Sequence, residues 1–566
     1  MDQTLDKNKL ILELESIVGI KNILKTKWSM ESYCKGWRYG EGEAIAVAKP
    51  STLLQIWKIL KVSVENNIIV IMQAANTGLT GGSTPYGYDY DRPILVVNTM
   101  LIDDIHIINN GKQIVGFPGS TLFGLENKLE NYSREPHSVI GSSCVGASIV
   151  GGVCNNSGGA LVKRGPAYTE LSLYAKINSD GTLVLVNNLG IELGKNPDEI
   201  LVNLQNHSYG NDSIQYPDKL ASDNKYQKQV RDINAKTPAR FNADGRRLYE
   251  ASGCAGKIAV FAVRLDTYPS PNRSQVFYLG SNSTKVLGEM RRDILSKFRN
   301  LPTSGEYFHR DCYDAAKKYC KDTFVVIDKL GPSFIPKLFE LKRNVDRLAE
   351  KFSFLPNKFS DRIMQFLSIL WPNHLPKRME KYRDEYEHHW VIEMSDEGIE
   401  EANEYFQKFF TENEGSFFKC TDNEAKKAML HRFVIASATP RYFAINQKKL
   451  GGLMSLDIAL PRNEKEWFEV LPPEMDNLIE MKLYYGHLFC HVMHHNYVVK
   501  KGVDVEKLQE KLLKTYDERG AEYPAEHNVG HEYFAKPTLS DFYKKLDPTN
   551  SFNPGIGGTS KQKHWK

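Results

Sequence analysis

An apolar segment that ends abruptly in small residues constrains the fold of this chain more than any other feature. Residues 68–72 are Ile-Ile-Val-Ile-Met, a pattern that predicts a short buried strand, and the glycine-rich loop 73–83 follows directly. Gly78, Gly81 and Gly82 can adopt positive φ angles, so this loop can fold tightly with several amides facing inward. Such a loop suits a diphosphate, which binds backbone amides at close range. An ordinary glycine-rich turn after a strand is the alternative.

A second stretch rich in small residues lies at 137–159. Six glycines and seven serines or asparagines in this stretch predict neither a regular helix nor a regular strand. Small residues and free amides allow an extended segment to lie against a flat ligand. A flexible linker is the alternative, although the interleaved Ile149, Val150 and Val153 are unusual in linkers.

Strands alternate with helices over the first 270 residues, which indicates an α+β or α/β domain. Periodicity predicts helices at 8–25, 51–66 and 121–129, the second with Ser51 as its N-cap. Apolar runs predict strands at 94–98 and 113–117 and a buried strand leading to residue 264, while 205–240 resembles a loop. The prolines at 269–273 mark a plausible domain boundary.

Composition bounds the class of protein. The 566 residues exceed one compact core, and the net charge of +4 does not suggest a nucleic-acid binder. The eight cysteines form no CxxC pair, which favours a reducing compartment. The N-terminus lacks the pattern of a signal peptide, and no window of 18 residues is apolar. We therefore expect a protein that is cytosolic or bound to a membrane from the cytosolic side.

Residues 310–387 combine basic and aromatic side chains. Between Lys351 and Arg378, basic residues meet a single acid, Asp361, and Phe352, Phe354 and the apolar run 366–371 lie among them. Three interpretations remain open here: a domain core with a solvated basic rim, a surface for single-stranded nucleic acid, and a site for an anionic membrane. The apolar run is too short to span a bilayer.

The order of these segments identifies a resemblance. The loop 73–83, the stretch 137–159 and residues 253–260 resemble flavoproteins of the vanillyl-alcohol-oxidase/p-cresol-methylhydroxylase type, and 547–555 resembles their closing motif. Within that superfamily the whole chain is similar to the respiratory, quinone-dependent D-lactate dehydrogenases. The segments that carry this similarity are 73–85, 134–157, 163–170 and 523–531.

The resemblance implies an α+β fold: a two-subdomain FAD-binding domain of the p-cresol-methylhydroxylase type, an antiparallel-sheet cap domain and a helical membrane-binding insertion. The implied boundaries place the FAD-binding domain at 1–268 and 520–566, the cap at 269–309 and 388–519, and the insertion at 310–387. Residues 425–449 of the cap would lie near the membrane face.

The resemblance also implies FAD as the cofactor. Many relatives attach the flavin through a histidine in their glycine-rich loop, and residues 73–83 contain none, so non-covalent FAD is expected. The residues expected to bind it are Ala74, Ala75, Asn76, Thr77, Gly78, Gly82, Ser83, Gly141, Ser148, Gly158 and Val260.

Four histidines cluster at 487–495. Their spacing predicts that all four share one helix face, or that His487, His491 and His495 share one strand face, either as structural histidines or as metal ligands. Relatives that oxidise 2-hydroxy acids bind a divalent metal, such as zinc, with residues that correspond to His487, His494 and Glu526. The relatives' Gly-Asp-Gly-Asn between the two histidines is replaced here by residues 489–492.

The resemblance assigns two further roles. His527 is expected to act as the general base, because an imidazole near neutral pKa can remove a hydroxyl proton. Arg432 is expected to bind the substrate carboxylate, with Arg441 and Arg462 as alternatives. A lysine that dicarboxylate-specific relatives place just before their Asp is absent before Asp457, which favours a monocarboxylate.

The implied activity is oxidation of D-lactate to pyruvate with electrons passed to a membrane quinone. Glycolate or D-2-hydroxyglutarate oxidation and a non-catalytic flavin-fold scaffold are the alternatives. The implied partners are D-lactate, quinone and an anionic lipid surface reached through 310–387, with no nucleic acid. The implied location is peripheral, at the cytoplasmic face of the inner membrane. The sequence gives no oligomeric state.

Overall fold

The computed structural model of this protein describes residues 6–138, 146–331, 334–352 and 358–566. Gly141 and Phe354, which the sequence analysis names, lie outside these ranges. Within them, no helix is long and apolar enough to cross a membrane.

The elements up to residue 269 combine short strands with mostly short helices. The helices are α1 (Lys7–Val18), α2 (Lys27–Cys34), α3 (Leu53–Glu65), α4 (Leu122–Glu130), α5 (Ile149–Cys154), α6 (Pro197–Gln205) and α7 (Tyr226–Arg231). The strands are β1 (Ile23–Leu24), β2 (Ala46–Ala48), β3 (Ile69–Gln73), β4 (Ile94–Asn98), β5 (Ile105–Ile108), β6 (Gln113–Gly116), β7 (Arg134–Glu135), β8 (Ser172–Ile177), β9 (Leu183–Asn187), β10 (Ala259–Asp266) and β11 (Tyr268–Pro269).

The first sheet, in the order β1-β2-β4-β3, presents the glycine-rich loop. Strands β2, β4 and β3 run parallel, and the apolar faces of α1 and α3 pack in the same core. The strand predicted at 68–72 is β3, and the loop begins at its carboxyl end as expected. Helix α3 is capped by Thr52, whose hydroxyl accepts from the Gln55 N–H at 3.1 Å, so the prediction of Ser51 as N-cap was wrong.

The second sheet is antiparallel, in the order β5-β6-β10-β8-β9, and helix α5 packs against it. The prediction that 137–159 contains no regular helix was wrong, because α5 lies within it. Ser148 caps this helix by accepting the Gly151 N–H at 3.0 Å, and Ile149 and Val153 are fully buried. Capping and burial outweigh the low helix propensity of its glycines.

The remaining elements contain a third sheet and most of the helices. The strands are β12 (Ser274–Ser281), β13 (Ser304–His309), β14 (His388–Ser395), β15 (Ser416–Lys419), β16 (Leu450–Ala459), β17 (Ile479–His487) and β18 (Val492–Lys500). The helices are α8 (Thr284–Lys297), α9 (Arg310–Tyr319), α10 (Lys321–Leu330), α11 (Ile335–Ala349), α12 (Phe359–Ile369), α13 (Lys377–Glu385), α14 (Gly398–Glu412), α15 (Asp422–Val434), α16 (Ala438–Asn446), α17 (Pro473–Asp476), α18 (Val505–Glu518) and α19 (Pro537–Leu546).

The third sheet has seven antiparallel strands in the order β15-β12-β14-β13-β17-β18-β16. The polypeptide leaves this sheet after β13, forms α9 to α13, and re-enters it at β14, so the described residues between these two strands are mainly helical. An α+β architecture is therefore confirmed, whereas the domain boundaries remain predictions.

The C-terminal segment returns to the first sheet. The Val70 N–H donates to the Ser551 carbonyl at 3.0 Å, and the Asn553 N–H donates to the Val70 carbonyl at 3.0 Å. Asn553 also donates its side-chain amide to the Gly82 carbonyl at 2.8 Å. The closing motif thus fixes both β3 and the loop that follows it.

Candidate active site

One cavity of about 720 Å³ brings together residues that are far apart in the sequence. The predicted cofactor residues that line it are Ala74, Ala75, Asn76, Thr77, Gly78, Gly82, Ser83, Ser148, Gly158 and Val260. The predicted reacting residues that line it are Arg432, His487, His494, Glu526 and His527. The two sets therefore face the same space.

The glycine-rich loop is held by its side chains, and much of its backbone is left free. Asn76 donates its amide to the Lys35 carbonyl at 2.9 Å and accepts from the Ser83 hydroxyl at 3.1 Å. In the described part of the chain, the N–H groups of residues 75–80 donate to no other protein group. A Cβ added at Gly78 would meet no atom within 4 Å, so this residue borders open space. The loop can therefore offer amides to an anionic ligand.

Three predicted cofactor residues also have roles within the protein. Ser148 caps α5. A Cβ at Gly82 would lie 2.7 Å from the Asn528 amide, and one at Gly158 would lie 2.8 Å from the Glu526 carboxyl carbon. Gly158 thus allows the small-residue stretch to approach a carboxylate that lies at the centre of the site.

The clustered histidines lie on a hairpin. His487 ends β17, residues 488–490 form a single turn, His491 has φ +55°, and His494 and His495 belong to β18. The prediction that they share one helix or strand face was wrong, because the turn interrupts the repeat and neighbouring strand residues point to opposite faces. His491 bonds to the Pro461 carbonyl at 3.0 Å and His495 to the Tyr516 hydroxyl at 2.7 Å, both away from the cavity. Of these four clustered histidines, His487 and His494 line the cavity.

These two imidazoles converge on one carboxylate oxygen. His487 Nε2 lies 3.3 Å and His494 Nε2 lies 3.8 Å from Glu526 Oε2. The other nitrogen of each ring meets a second carboxylate: His487 Nδ1 lies 3.0 Å from Glu306, and His494 Nδ1 lies 3.3 Å from Asp457. The predicted grouping of His487, His494 and Glu526 is therefore present in the structure.

The buried charges in this group compensate one another. Burial alone would lower the pKa of His487, but the carboxylates of Glu306 and Glu526 outweigh it and raise that pKa to about 10. Burial would raise the pKa of Glu526, but Arg240, which donates to its carboxylate, and His487 lower it to about 2. The pKa of Glu306 falls to about 2 in the same way, because Arg432 and His487 outweigh burial. These groups are stable as ions only in one another's presence.

Asp457 orients the predicted general base. Its Oδ2 lies 2.9 Å from His527 Nδ1 and accepts the backbone N–H groups of Glu526 and His527 at 2.8 and 3.0 Å. Burial lowers the pKa of His527, and Asp457 outweighs burial and raises it. With Nδ1 held by the carboxylate, Nε2 is the nitrogen left to accept a proton.

The three candidate arginines occupy different places. Arg432 lines the cavity, where its Nη2 lies 2.8 Å from Glu306 and its guanidinium lies 4.6 Å from the Tyr485 ring centroid. Arg441 is buried against Asp322 and Asp361, at 2.8 and 2.7 Å. Arg462 donates to the Thr237 and Gln229 carbonyls. Neither of the last two lines the cavity.

Arg38 is a cavity residue that sequence reasoning missed. Its Nη2 donates to the Ala436 carbonyl at 2.8 Å, and its guanidinium acts electrostatically on His527 and Glu532. Burial raises the pKa of Glu532 to about 7, although His527 and Arg38 lower it. Among the described residues, Arg38 forms no ion pair within 4 Å. The sequence gives no signal for Arg38, which lies in an irregular N-terminal segment.

Most charged groups around the cavity are paired. Arg240, Arg432 and protonated His487 contact Glu306 or Glu526, and Asp457 contacts His494 and His527. The role of Asp457 and the residue Glu306 were also missed, although a lone acid within an apolar strand is costly unless it is paired, which could have marked both. Arg38 is the cavity arginine that these ion pairs do not include, and the carboxyl group that acts on it electrostatically is Glu532.

The donor set at Glu526 fits a divalent metal. One ligand atom from each of His487, His494 and Glu526 lies within 4.8 Å of the others, and Asp457, His494 and His527 form a second such group. Two imidazoles and a carboxylate suit zinc, and ligating histidines typically bond a carboxylate through their other nitrogen. Here Glu306 lies 3.0 Å from His487 Nδ1, and Asp457 lies 3.3 Å from His494 Nδ1. The ion pairs described above satisfy the same atoms without a metal.

Comparisons with known proteins agree over the full length of the chain. The family described as "D-lactate dehydrogenase, membrane binding" matches residues 276–565. The quinone-dependent D-lactate dehydrogenase of Haemophilus influenzae is 57% identical, covering 98% of this chain and 99% of the relative. That of Escherichia coli is 52% identical, covering 100% of this chain and 99% of the relative. Among solved structures, p-cresol methylhydroxylase with substrate bound aligns with a TM-score of 0.59 at 13% identity, covering 99% of this chain and 98% of that one.

Proposed function

The chain belongs to the family of quinone-dependent D-lactate dehydrogenases, and from this premise we propose that it oxidises D-lactate to pyruvate with FAD and passes the electrons to a membrane quinone. One observation carries the proposal at the level of the site. The free amides of the loop after β3 and the Asp457–His527 pair line the same cavity, so a cofactor on the loop would face the predicted base.

FAD fits the side of this cavity that the glycine-rich loop, Ser148 and Val260 line. Residues 75–80 offer amides that no other group among the described residues accepts, and Gly78 leaves open space beside them. The amides suit the diphosphate, while small residues around Ser148 and Val260 leave room for a flat ring system. FAD, when bound, supplies the hydride acceptor, and the absence of histidine in the loop supports non-covalent attachment.

His527 is proposed as the general base. Asp457 holds its Nδ1, so Nε2 can accept the hydroxyl proton of D-lactate as the α-hydrogen leaves as hydride. Asp457 also stabilises the imidazolium that results, because its carboxylate stays ionised: histidine contacts keep its pKa well below the usual range despite burial.

Two arginines are proposed to bind the substrate carboxylate. Arg432 faces the cavity but shares its charge with Glu306, while its Nε is buried and has no hydrogen-bond partner in the described part of the chain. Arg38 faces the same cavity and has no carboxylate oxygen within 4 Å among the described residues. A monocarboxylate such as lactate would supply the counter-charge that Arg38 lacks.

A divalent metal such as zinc is proposed at His487, His494 and Glu526. When bound, it would supply Lewis-acid polarisation of the substrate oxygens. Arg240 and Glu306 position this group, since each contacts a predicted ligand from the protein side.

The helical insertion is proposed to bind an anionic membrane. Phe366, Ile369 and Leu370 are 66%, 71% and 71% exposed, so they are not domain core. Between Lys351 and Arg378 the single acid, Asp361, is buried in ion pairs with Arg441 and Lys342. The described surface of this segment is therefore apolar and basic, and each cation contributes about 1 kcal/mol at an anionic surface. A location at the cytoplasmic face of the inner membrane remains part of this proposal.

The activity is tested by anaerobic titration of the purified yellow protein. D-lactate should bleach the flavin absorbance and L-lactate should not. Glycolate and D-2-hydroxyglutarate, titrated in parallel, test the alternative substrates. A flavin that no 2-hydroxy acid reduces would refute the proposal.

Membrane binding is tested by flotation with anionic vesicles at low salt. The double variant Phe366→Ser/Leu370→Ser should lose most of its binding. Leu12→Ser on α1, whose side chain is also 66% exposed, is the matched control and should float like the native protein. Native protein that stays in the soluble fraction would refute the membrane proposal.

A further inference from the structure

The cavity has a third group of lining residues that neither the cofactor loop nor the reacting groups explain. Met429, Phe433 and Ala436 lie on one side of α15 and its continuation, at helical spacing from Arg432. Thr323 of α10 and Ile335 of α11 line the same cavity. We call these five residues the apolar arm. Most of the side-chain surface of the apolar arm is apolar, so the arm is unsuited to binding lactate, which is a small anion.

The apolar arm starts at the reacting groups. Met429 lies three residues before Arg432 and Phe433 lies one residue after it, and Arg432 contacts Glu306. At the turn after α15, the Ala436 carbonyl accepts a hydrogen bond from Arg38. A molecule in the arm would therefore lie beside the substrate-binding arginines.

The apolar arm ends at the helices with the exposed apolar surface. Thr323 belongs to α10, whose last residue, Leu330, is 57% exposed, and Ile335 is the first residue of α11, on which Leu341 is 61% exposed. Lys426 of α15 forms an ion pair with Asp328 of α10 at 2.9 Å, which joins the two sides of the arm. The same helices thus frame the inner arm and carry the outer apolar residues.

We propose that the apolar arm is the binding site of the quinone headgroup, entered from the membrane side of α10 and α11. This inference rests on the proposed function. Oxidation of D-lactate to pyruvate releases two electrons and two protons, and reduction of a quinone to a quinol consumes the same number. A lipid-soluble acceptor must reach the cofactor without crossing water, and the arm offers that path.

The chemistry of the arm suits a substituted benzoquinone. Phe433 and Met429 can pack against a flat apolar ring, and the Thr323 hydroxyl and the Arg38 guanidinium can donate hydrogen bonds to its carbonyl oxygens. A few polar donors in an otherwise apolar pocket are typical of small-molecule sites.

The test separates the two half-reactions and uses a water-soluble, short-chain benzoquinone, so that membrane binding plays no part. Met429→Lys places a charge in the arm, and Phe433→Ala removes a packing surface without adding charge. Asn423→Lys adds the same charge to the exposed start of α15, outside the cavity, and is the matched control.

Flavin reduction by D-lactate under anaerobic conditions should stay within about twofold of native in all three variants, which also shows that they fold. Reoxidation of the reduced protein by the short-chain quinone should be at least about tenfold slower in Met429→Lys and Phe433→Ala, and unchanged in Asn423→Lys. Native reoxidation rates in both arm variants would overturn the proposal. An equal slowing of flavin reduction would also overturn it, because the arm would then serve D-lactate. Native protein that D-lactate fails to bleach would instead refute the proposed function.

Discussion

Replacing Arg38 with Met tests the charge balance of the site most directly. Arg240, Arg432 and His487 each contact Glu306 or Glu526, whereas Arg38 is the cavity cation with no ion pair within 4 Å among the described residues. A charge-assisted hydrogen bond to the lactate carboxylate is worth about 1.5–3 kcal/mol, so its loss should weaken D-lactate binding about 10- to 100-fold. The protein itself should unfold at nearly the native temperature, because among the described residues Arg38 donates one hydrogen bond, to the Ala436 carbonyl.

Arg432→Met provides the contrast. Arg432 and Glu306 are both largely buried, with side-chain exposures of 10% and 7%, so this change leaves a buried carboxylate without its arginine. Breaking a buried pair typically destabilises a protein by about 3–5 kcal/mol. Arg432→Met should therefore lower both the unfolding temperature and the affinity for D-lactate.

The assay is the rate of anaerobic flavin reduction as a function of D-lactate concentration, with thermal unfolding measured on the same samples. Arg38→Lys keeps the charge and should fall between native and Arg38→Met. If the apparent dissociation constant of Arg38→Met for D-lactate stays within about twofold of native, the Arg38 guanidinium does not bind the substrate.

Three further changes probe the remaining parts of the site. His527→Asn should slow flavin reduction by about 100-fold or more while changing the apparent affinity for D-lactate little, and an unchanged rate would refute its role as base. Glu532, with a pKa raised by burial to about 7, is charged above that pH and then competes with lactate for Arg38, so the KM for D-lactate should rise above about pH 7. Glu532→Gln should flatten that rise, and an identical pH profile would contradict the assignment. Removing a divalent metal with a chelator should slow flavin reduction at least about tenfold, with recovery on metal addition; full activity in metal-free protein would argue for the ion-pair arrangement alone.

Local patterns predicted the parts of the fold that local forces determine. The strand before the glycine-rich loop could be read from five consecutive apolar residues followed by small ones, and β3 lies within one residue of that prediction. Helix α5 was missed because composition alone weighs against it, whereas the Ser148 cap and the burial of Ile149 act only in the folded protein.

The site was predictable only where a motif carried it. The pairing of His487 with His494 and Glu526 came from the resemblance, and the structure brings them together through a hairpin that helical or strand periodicity could not predict. Asp457 and Glu306 carry no motif. The role of each depends on contacts with residues of other elements, and such contacts depend on the strand order of the seven-stranded sheet.

Two glycines that the sequence assigned alike to the cofactor should behave differently when replaced by alanine. A Cβ at Gly158 would lie 2.8 Å from Glu526, which cannot move aside easily because Arg240 and both histidines contact it. Gly158→Ala should therefore retain flavin but slow its reduction by D-lactate. A Cβ at Gly78 would meet no protein atom within 4 Å and would instead occupy space proposed for FAD.

Gly78→Ala should thus fold normally and lose flavin on dialysis, and it should recover absorbance and activity when FAD is added in excess. Neither glycine has a positive φ, so backbone strain does not complicate the comparison. The measurements are the flavin-to-protein absorbance ratio after dialysis and the anaerobic reduction rate. If Gly158→Ala loses flavin while Gly78→Ala keeps it, the cofactor lies against the small-residue stretch rather than the loop after β3. The glycine-rich loop after β3 would then support the fold without binding the cofactor. Contact with the cofactor, rather than with Gly158, would then determine the position of Glu526.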